Sequence, residues 1–261
     1  MRNAGFDQGT GPPVIVIPGV QGRWEWMRPA VDALAARCRT VSYSLRRADA
    51  DPPRAIEELA IQLDRVLDRA GLASTAVLGV SFGGLVAAHY AASRPHRTRA
   101  LIIASAPGPA WRPADDQRRY IRRPWLSAPA FGALAPMRLW PEIVAAISAP
   151  GARARFCTMQ TARVCAAPAH PPAMAARATL AAEIDLSADC RRVAAPTLVL
   201  TGEPALDRVV PVESTREYLA LIPGAQYAMM ERTGHLGLVT RPDQFAQIVC
   251  NFVMQHQARS I

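Results

Sequence analysis

Short apolar segments alternate with longer segments of helical periodicity over most of the chain. The apolar segments that predict strands lie at 13–19, 39–45, 75–80, 99–105, 196–203 and 225–231. The segments that predict helices lie at 24–37, 53–72, 84–93, 213–221 and about 243–255. Strands that alternate with helices pair in parallel through crossover connections. The pattern therefore predicts an α/β fold, with a mostly parallel central sheet flanked by helices.

The helix predicted at 53–72 has a distinct apolar face. Its apolar positions recur at the three- and four-residue spacing of one helical face. Pro53 suits the first turn and Gly71 suits the end of the helix. The apolar positions are Ile56, Leu59, Leu63, Val66 and Leu67.

The alternation breaks near Pro107 and resumes after Arg191. Eleven of the 23 prolines fall in this segment, so long strands are not expected there. Short helices are predicted at 141–148 and 171–184. We therefore expect an α/β core formed by residues 1–106 and 192–261, interrupted by a helical lid, the cap insertion, at residues 107–191.

Composition narrows the class of protein. Apolar residues make up 50% of the 261 positions, enough to build the core of one large domain. The formal net charge is +9, and all 30 basic residues are arginine, which excludes a lysine Schiff base or a phosphate-loop lysine. No nucleic-acid-binding motif accompanies the charge, so we expect no nucleic-acid partner. The arginine-rich stretch 118–123, "RRYIRR", is interpreted as a solvated helix face, with attraction of an acidic substrate as the alternative.

The five cysteines are widely spaced and form no CxxC pair. This spacing argues against a disulfide framework or a zinc site and favours buried thiols in a reducing compartment. The first 13 residues lack the apolar region of a secretion signal, and no segment reaches 18 uninterrupted apolar residues. We therefore expect a cytoplasmic protein without a membrane span.

The first candidate for chemistry is Ser81, in the sequence "GVSFG" at 79–83. It matches G-x-S-x-G between a predicted strand and a predicted helix, the context in which a sharp turn presents a nucleophile. Such a turn crowds its neighbours, and Gly79 and Gly83 leave the room that it needs. The alternative is a glycine-rich turn with an incidental serine.

A serine hydroxyl needs a base, and His235 is the best-placed of the five histidines. It follows the last predicted strand in "RTGHLGL", at the sheet end where α/β proteins bind ligands. An imidazole base needs a carboxylate partner, and the loop after the preceding strand offers Asp207, with Glu203 as the alternative acid.

The order Ser81, Asp207, His235, with the strand–turn–helix context, resembles the α/β-hydrolase superfamily over most of the chain. The resemblance implies an oxyanion hole formed by the backbone amides of Phe82 and Val20. This family commonly carries His-Gly before the second amide, whereas this chain has Pro18-Gly19. Relatives that use an aspartate at the elbow, the haloalkane dehalogenases and epoxide hydrolases, are set aside because residue 81 is a serine.

The resemblance also places two tryptophans after the first strong strand. Trp26 matches a position that usually packs structurally, which leaves Trp24 free to line a substrate pocket. With the tryptophans of the cap insertion, this gives the predicted pocket residues Trp24, Trp111, Trp125 and Trp140, each with packing as the alternative role.

The sequence thus predicts a serine hydrolase that cleaves a carboxylic ester or lactone through an acyl-enzyme on Ser81. We expect a small-molecule substrate with an apolar acyl group and neither cofactor nor metal. The same three residues would also serve a carbon–carbon bond hydrolase or a cofactor-free perhydrolase or acyltransferase. A ligand receptor on the same scaffold is the non-enzymatic alternative. The sequence leaves the substrate and the oligomeric state open.

Overall fold

Seven strands form one sheet in the computed structural model, which describes residues 5–47, 50–109, 111–113 and 115–256. The sheet has the order β1-β3-β2-β4-β5-β6-β7, and every neighbouring pair is parallel except β1 with β3. The strands are β1 (Phe6–Gln8), β2 (Pro13–Ile17), β3 (Arg39–Ser42), β4 (Thr75–Val80), β5 (Thr98–Ala104), β6 (Thr197–Thr201) and β7 (Gln226–Met229).

Helices connect the strands and cover both faces of the sheet. They are α1 (Arg28–Ala35), α2 (Pro52–Arg69), α3 (Phe82–Ser93), α4 (Asp115–Arg122), α5 (Pro124–Ala146), α6 (Pro150–Ala166), α7 (Pro171–Glu183), α8 (Ser187–Arg192), α9 (Val212–Leu221), α10 (Gly237–Thr240) and α11 (Pro242–Gln255). Short 3₁₀ turns at Trp24–Met27 and Pro95–Arg97 precede α1 and β5. The predicted α/β class and mostly parallel sheet are confirmed.

Two apolar layers sandwich the sheet because successive side chains of a strand point to opposite faces. On β2, Ile15 and Ile17 pack into the layer beneath α2, α3 and α9, whereas Val14 and Val16 pack into the layer beneath α1 and α11. A strand buried on both faces is apolar without alternation, as "VIVI" is here. Because β2 to β7 all run parallel, their carboxyl ends lie at one edge of the sheet, where the candidate site lies.

Helices α4 to α8 occupy the stretch between β5 and β6. The helix predicted at 141–148 is the end of the longer α5, and α6 was not predicted. Helix α8 packs against α3, and its residue Cys190 is fully buried in the same apolar layer as α3. Helix α8, at the end of the predicted cap insertion, is therefore part of the main core layer.

The arginine-rich stretch largely behaves as a solvated helix face. Arg118, Arg119 and Arg122 are exposed on α4, whereas Tyr120 is buried and donates a hydrogen bond to the carbonyl of Pro171, 3.3 Å away. Arginines elsewhere form ion pairs, for example Arg94 with Glu57 and Asp64. Arg94 therefore links the end of α3 to α2.

The cysteines are free, and they are not all buried. Cys38, Cys190 and Cys250 are buried, Cys157 is half-buried and Cys165 is exposed. The sulfurs of Cys38 and Cys250 lie 3.1 Å apart, where the start of β3 meets α11. No helix in the described ranges combines the length and apolar character needed to cross a bilayer.

Candidate active site

Ser81 occupies a sharp turn between β4 and α3. Its backbone has φ 52° and ψ −125°, a conformation that residues other than glycine rarely adopt. The turn is held because the Ser81 amide donates a hydrogen bond to the carbonyl of Ala104 (2.8 Å) on the neighbouring strand. A methyl group at Gly79 would lie 2.2 Å from the carbonyl oxygen of Gly83, so the turn requires glycine there. The strained turn predicted from "GVSFG" is present.

The loop after β2 lies directly against Ser81. A methyl group added at Gly19 would come within 3.2 Å of Cβ of Ser81. The Gly22 amide donates to the carbonyl of Gly19 (2.8 Å), which closes a turn around Val20. Within the described ranges the Val20 amide has no hydrogen-bond acceptor. Phe82 begins α3, and the amide of a first helical residue has no acceptor inside the helix.

His235 and Asp207 meet at the ends of β7 and β6. Nδ1 of His235 lies 3.3 Å from Oδ2 of Asp207, while Oδ1 of Asp207 accepts hydrogen bonds from the amides of Val209 and Val210, 3.0 Å each. The Asp207 side chain is 1% exposed and that of His235 is 13% exposed. The carboxylate therefore has fixed partners on both oxygens and can orient the imidazole.

The pKa values of Asp207 and His235 are shifted in opposite directions. Burial disfavours the carboxylate of Asp207, but His235 and the amides of Val210 and Val209 outweigh it, and the pKa of Asp207 falls below its ordinary value. Burial also disfavours the imidazolium of His235, but the charge and hydrogen bond of Asp207 and the charge of Glu142 raise the pKa of His235 overall. The pair is thus suited to accepting a proton on the imidazole.

Ser81, Asp207 and His235 all follow carboxyl ends of parallel strands, since β4, β6 and β7 belong to one sheet. In the described part of the chain no hydrogen bond joins the Ser81 hydroxyl to His235. Catalytic hydrogen bonds commonly tighten only when substrate binds. Glu203 lies on the same loop as Asp207 but accepts a hydrogen bond from the Arg232 amide (2.6 Å). Asp207, and not Glu203, contacts the imidazole.

Two buried charged residues of the cap insertion reach these loops and were missed in the sequence. Oε1 of Glu142, on α5, accepts a hydrogen bond from the Leu236 amide (2.7 Å). The guanidinium of Arg177, on α7, donates to the carbonyls of Val20 (3.0 Å), Leu45 and Arg46 (2.8 Å each). Burial lowers the pKa of Arg177 to about 10. A charged residue within a largely apolar helical stretch is the signal in the sequence that points to each of them.

The two tryptophans near β2 lie in different surroundings. Trp24 is buried beneath α1, with its ring 5.5 Å from that of Phe6, so it belongs to the core and does not line a pocket. Trp26 instead faces the cap insertion, where its indole N–H donates to the carbonyl of Ala167 (2.9 Å).

The tryptophans of the cap insertion take two different positions. Trp111 is half-buried and packs on the apolar layer beneath α3, which matches the alternative packing role. Trp125 and Trp140, on α5, are 63% and 50% exposed, so neither is enclosed in a pocket in this structure. The described residues contain no group of three or more histidine, cysteine, aspartate or glutamate side chains arranged to hold a metal ion.

Known proteins resemble the chain in sequence and in structure. The model of the alpha/beta hydrolase family matches residues 14–248. A pimeloyl-[acyl-carrier protein] methyl ester esterase of Photobacterium profundum is 30% identical over 209 residues, 76% of each chain. A relative from Caulobacter segnis, whose name provisionally assigns it to carbamate hydrolysis, is 25% identical over 92% of this chain and 90% of that protein. A protein of the same name from Azorhizobium caulinodans is 34% identical over 119 residues, which make up 44% of this chain and 42% of that protein.

A solved structure extends the likeness to the fold. The enol-lactonase from Burkholderia xenovorans superposes with a TM-score of 0.75, covering 96% of both chains at 20% identity. At this identity the likeness shows the shared fold alone.

Proposed function

The chain belongs to the α/β hydrolase family, and on that premise we propose that it cleaves carboxylic esters or lactones through an acyl-enzyme on Ser81. The observation that carries the proposal is the 3.3 Å contact between His235 and the buried Asp207, at the sheet edge where the strained turn presents Ser81. A carboxylate-oriented imidazole beside an activated hydroxyl is the arrangement used for nucleophilic acyl transfer.

In the proposed reaction, Nε2 of His235 takes the hydroxyl proton of Ser81 as its oxygen attacks the carbonyl carbon of the substrate. The negative Asp207 stabilises the imidazolium that forms. The imidazolium then gives its proton to the leaving alkoxide oxygen, and an acyl-enzyme remains. Water repeats the same sequence: His235 removes its proton, the hydroxide adds to the acyl carbon, and Ser81 regains its proton as the acid leaves.

The amides of Val20 and Phe82 would hold the oxygen that becomes negative in the tetrahedral intermediate. Both amides lie beside Ser81, one in the loop after β2 and one at the start of α3. The start of a helix favours negative charge, and each donor of such a pair contributes about 3 kcal/mol to the transition state. Arg177 fixes the peptide carbonyl of Val20 and thereby the loop that carries the first donor.

The cap insertion at 107–191 is proposed to cover the site and to select a substrate with an apolar acyl group. Its helices contact the active-site loops through Trp26, Arg177 and Glu142. Because the apolar length that fits beneath it sets the preferred acyl chain, substrate choice depends on this segment more than on the sheet.

A substrate panel tests the reaction class. We expect p-nitrophenyl esters of graded acyl length and simple lactones to be hydrolysed at least about 100-fold faster than a dienoic ring-cleavage product, because the esters offer a better leaving group to the same nucleophile. The measurement is kcat/KM for each compound. Faster turnover of the ring-cleavage product would favour carbon–carbon bond hydrolysis instead.

The pH dependence follows from the histidine. His235 acts as a base only when neutral, and its pKa is raised above the ordinary value of 6.5. We therefore expect kcat/KM to fall as pH decreases through a single acid limb centred above pH 6.5. A pH–rate profile for an uncharged ester measures this limb. A limb at or below pH 6.5 would contradict the assignment.

A further inference from the structure

Glu142 is the single acidic residue of the 23-residue helix α5, and it is 1% exposed. The helix lies in the cap insertion, whereas the carboxyl reaches the loop that follows β7. An ionised carboxylate is costly to bury unless it is hydrogen-bonded or paired with a charge. A lone buried acid at the boundary between the cap insertion and the active-site loops therefore needs a reason to be there.

The partners of Glu142 flank the proposed base. Oε1 accepts the hydrogen bond from the amide of Leu236, directly after His235, and the amide of Gly234, directly before it, also stabilises the charged form. Oε2 is buried and has no hydrogen-bond partner in the described ranges. The carboxyl thus holds the backbone directly after the imidazole through the Leu236 amide.

The charges around Glu142 connect it to the same histidine. Burial raises the pKa of Glu142 to about 7, opposed by the two amides and by His235, and the negative Asp207 adds to the increase. Two further charged groups, Arg232 and Arg241, bond the carbonyls of Ala145 and Ala146 at the end of α5. The charges of Asp207 and of the carboxyl supplied by the cap insertion therefore both act on His235.

We propose that Glu142 is a positioning residue that holds the loop 234–236 from the cap insertion, keeps the imidazole of His235 aligned with Asp207 and favours its protonated form. The inference rests on the proposed role of His235 as the base and extends it. It makes the cap insertion part of the catalytic apparatus as well as a cover. Displacing α5 would remove both the acceptor of the Leu236 amide and a negative charge beside the imidazole.

Two variants separate the hydrogen bond from the charge. Glu142→Gln keeps an oxygen for the Leu236 amide but removes the charge, so we expect the acid limb of kcat/KM to move to lower pH by about 0.5 unit, with kcat reduced less than about fivefold. Glu142→Leu keeps the size and removes the acceptor, so we expect kcat to fall about 10- to 100-fold with KM within about threefold of wild type. The full-length protein is assayed with one uncharged p-nitrophenyl ester.

Glu213→Gln is the matched control because Glu213 is exposed on α9; its acid limb and kcat should equal those of the wild type. The inference is overturned if the acid limb of Glu142→Gln coincides with that of the wild type while its circular dichroism spectrum is native. If Glu142→Leu does not fold, the pH limb of Glu142→Gln alone decides. Failure of the wild-type protein to hydrolyse any ester or lactone would instead contradict the proposed function.

Discussion

Replacing Ser81 with alanine is expected to lower kcat for ester or lactone hydrolysis by about 10⁴-fold or more, since the nucleophile is removed and no other group can form the acyl-enzyme. Alanine has the same β-carbon, so the turn between β4 and α3 should persist. Turnover is measured with the best ester of the panel. A fluorophosphonate probe, followed by mass spectrometry of the peptide that contains residue 81, measures the reactivity of the hydroxyl directly.

Ser93→Ala is the matched control. Ser93 lies at the other end of α3, where its hydroxyl donates to the carbonyl of His89, 2.7 Å away. This variant should keep wild-type turnover and should still be labelled at Ser81. Retained hydrolysis by Ser81→Ala, or labelling elsewhere in the wild-type protein, would contradict the proposed nucleophile.

The backbone strain at Ser81 allows a second test at the same position, a measurement of stability. Glycine adopts positive φ without the steric cost that a side chain incurs, and residues held in such conformations cost about 1–3 kcal/mol. Ser81→Gly should therefore be as inactive as Ser81→Ala and more stable than it in urea unfolding. A variant that is inactive yet more stable indicates that the turn is kept for chemistry and not for folding.

The sheet and its helices could be predicted because their signals are local. The apolar runs that became β2, β4, β5 and β6 lie within a few residues of the observed strands, and the helical spacing at 53–72 became α2, Pro52–Arg69. Local periodicity carries this information because each element must bury one or both of its faces.

Contacts between distant segments could not be predicted, because periodicity reports only on local structure. Nothing local distinguishes Trp24 from Trp26, since their burial depends on how the 3₁₀ turn sits on β2 and on the distant Ala167. Glu142 and Arg177 are charged residues in largely apolar helices, but their partners lie on loops 94 to 157 positions away. The sequence indicates that such charges need partners, and only the packing of α5 and α7 supplies them.

The sequence left open whether Asp207 or Glu203 is the acid beside His235. Substitution of each residue should decide between them. Asp207→Asn is expected to lower kcat/KM by about 10³- to 10⁴-fold, because an amide cannot stabilise the imidazolium and its N–H₂ group favours the wrong tautomer of His235. Loss of the negative charge should also move any residual acid limb to lower pH. Steady-state kinetics across pH measure both effects.

Glu203→Gln is the matched comparison, since the two acids share one loop and differ in their partners. The glutamine oxygen can still accept the hydrogen bond of the Arg232 amide. We therefore expect kcat/KM within about threefold of wild type, because the affected group does not touch the imidazole. The opposite ranking, a large loss in Glu203→Gln and a small one in Asp207→Asn, would transfer the role to Glu203. Similar small losses in both would contradict a carboxylate-assisted histidine, and with it the reason that Asp207 is buried with both oxygens bonded.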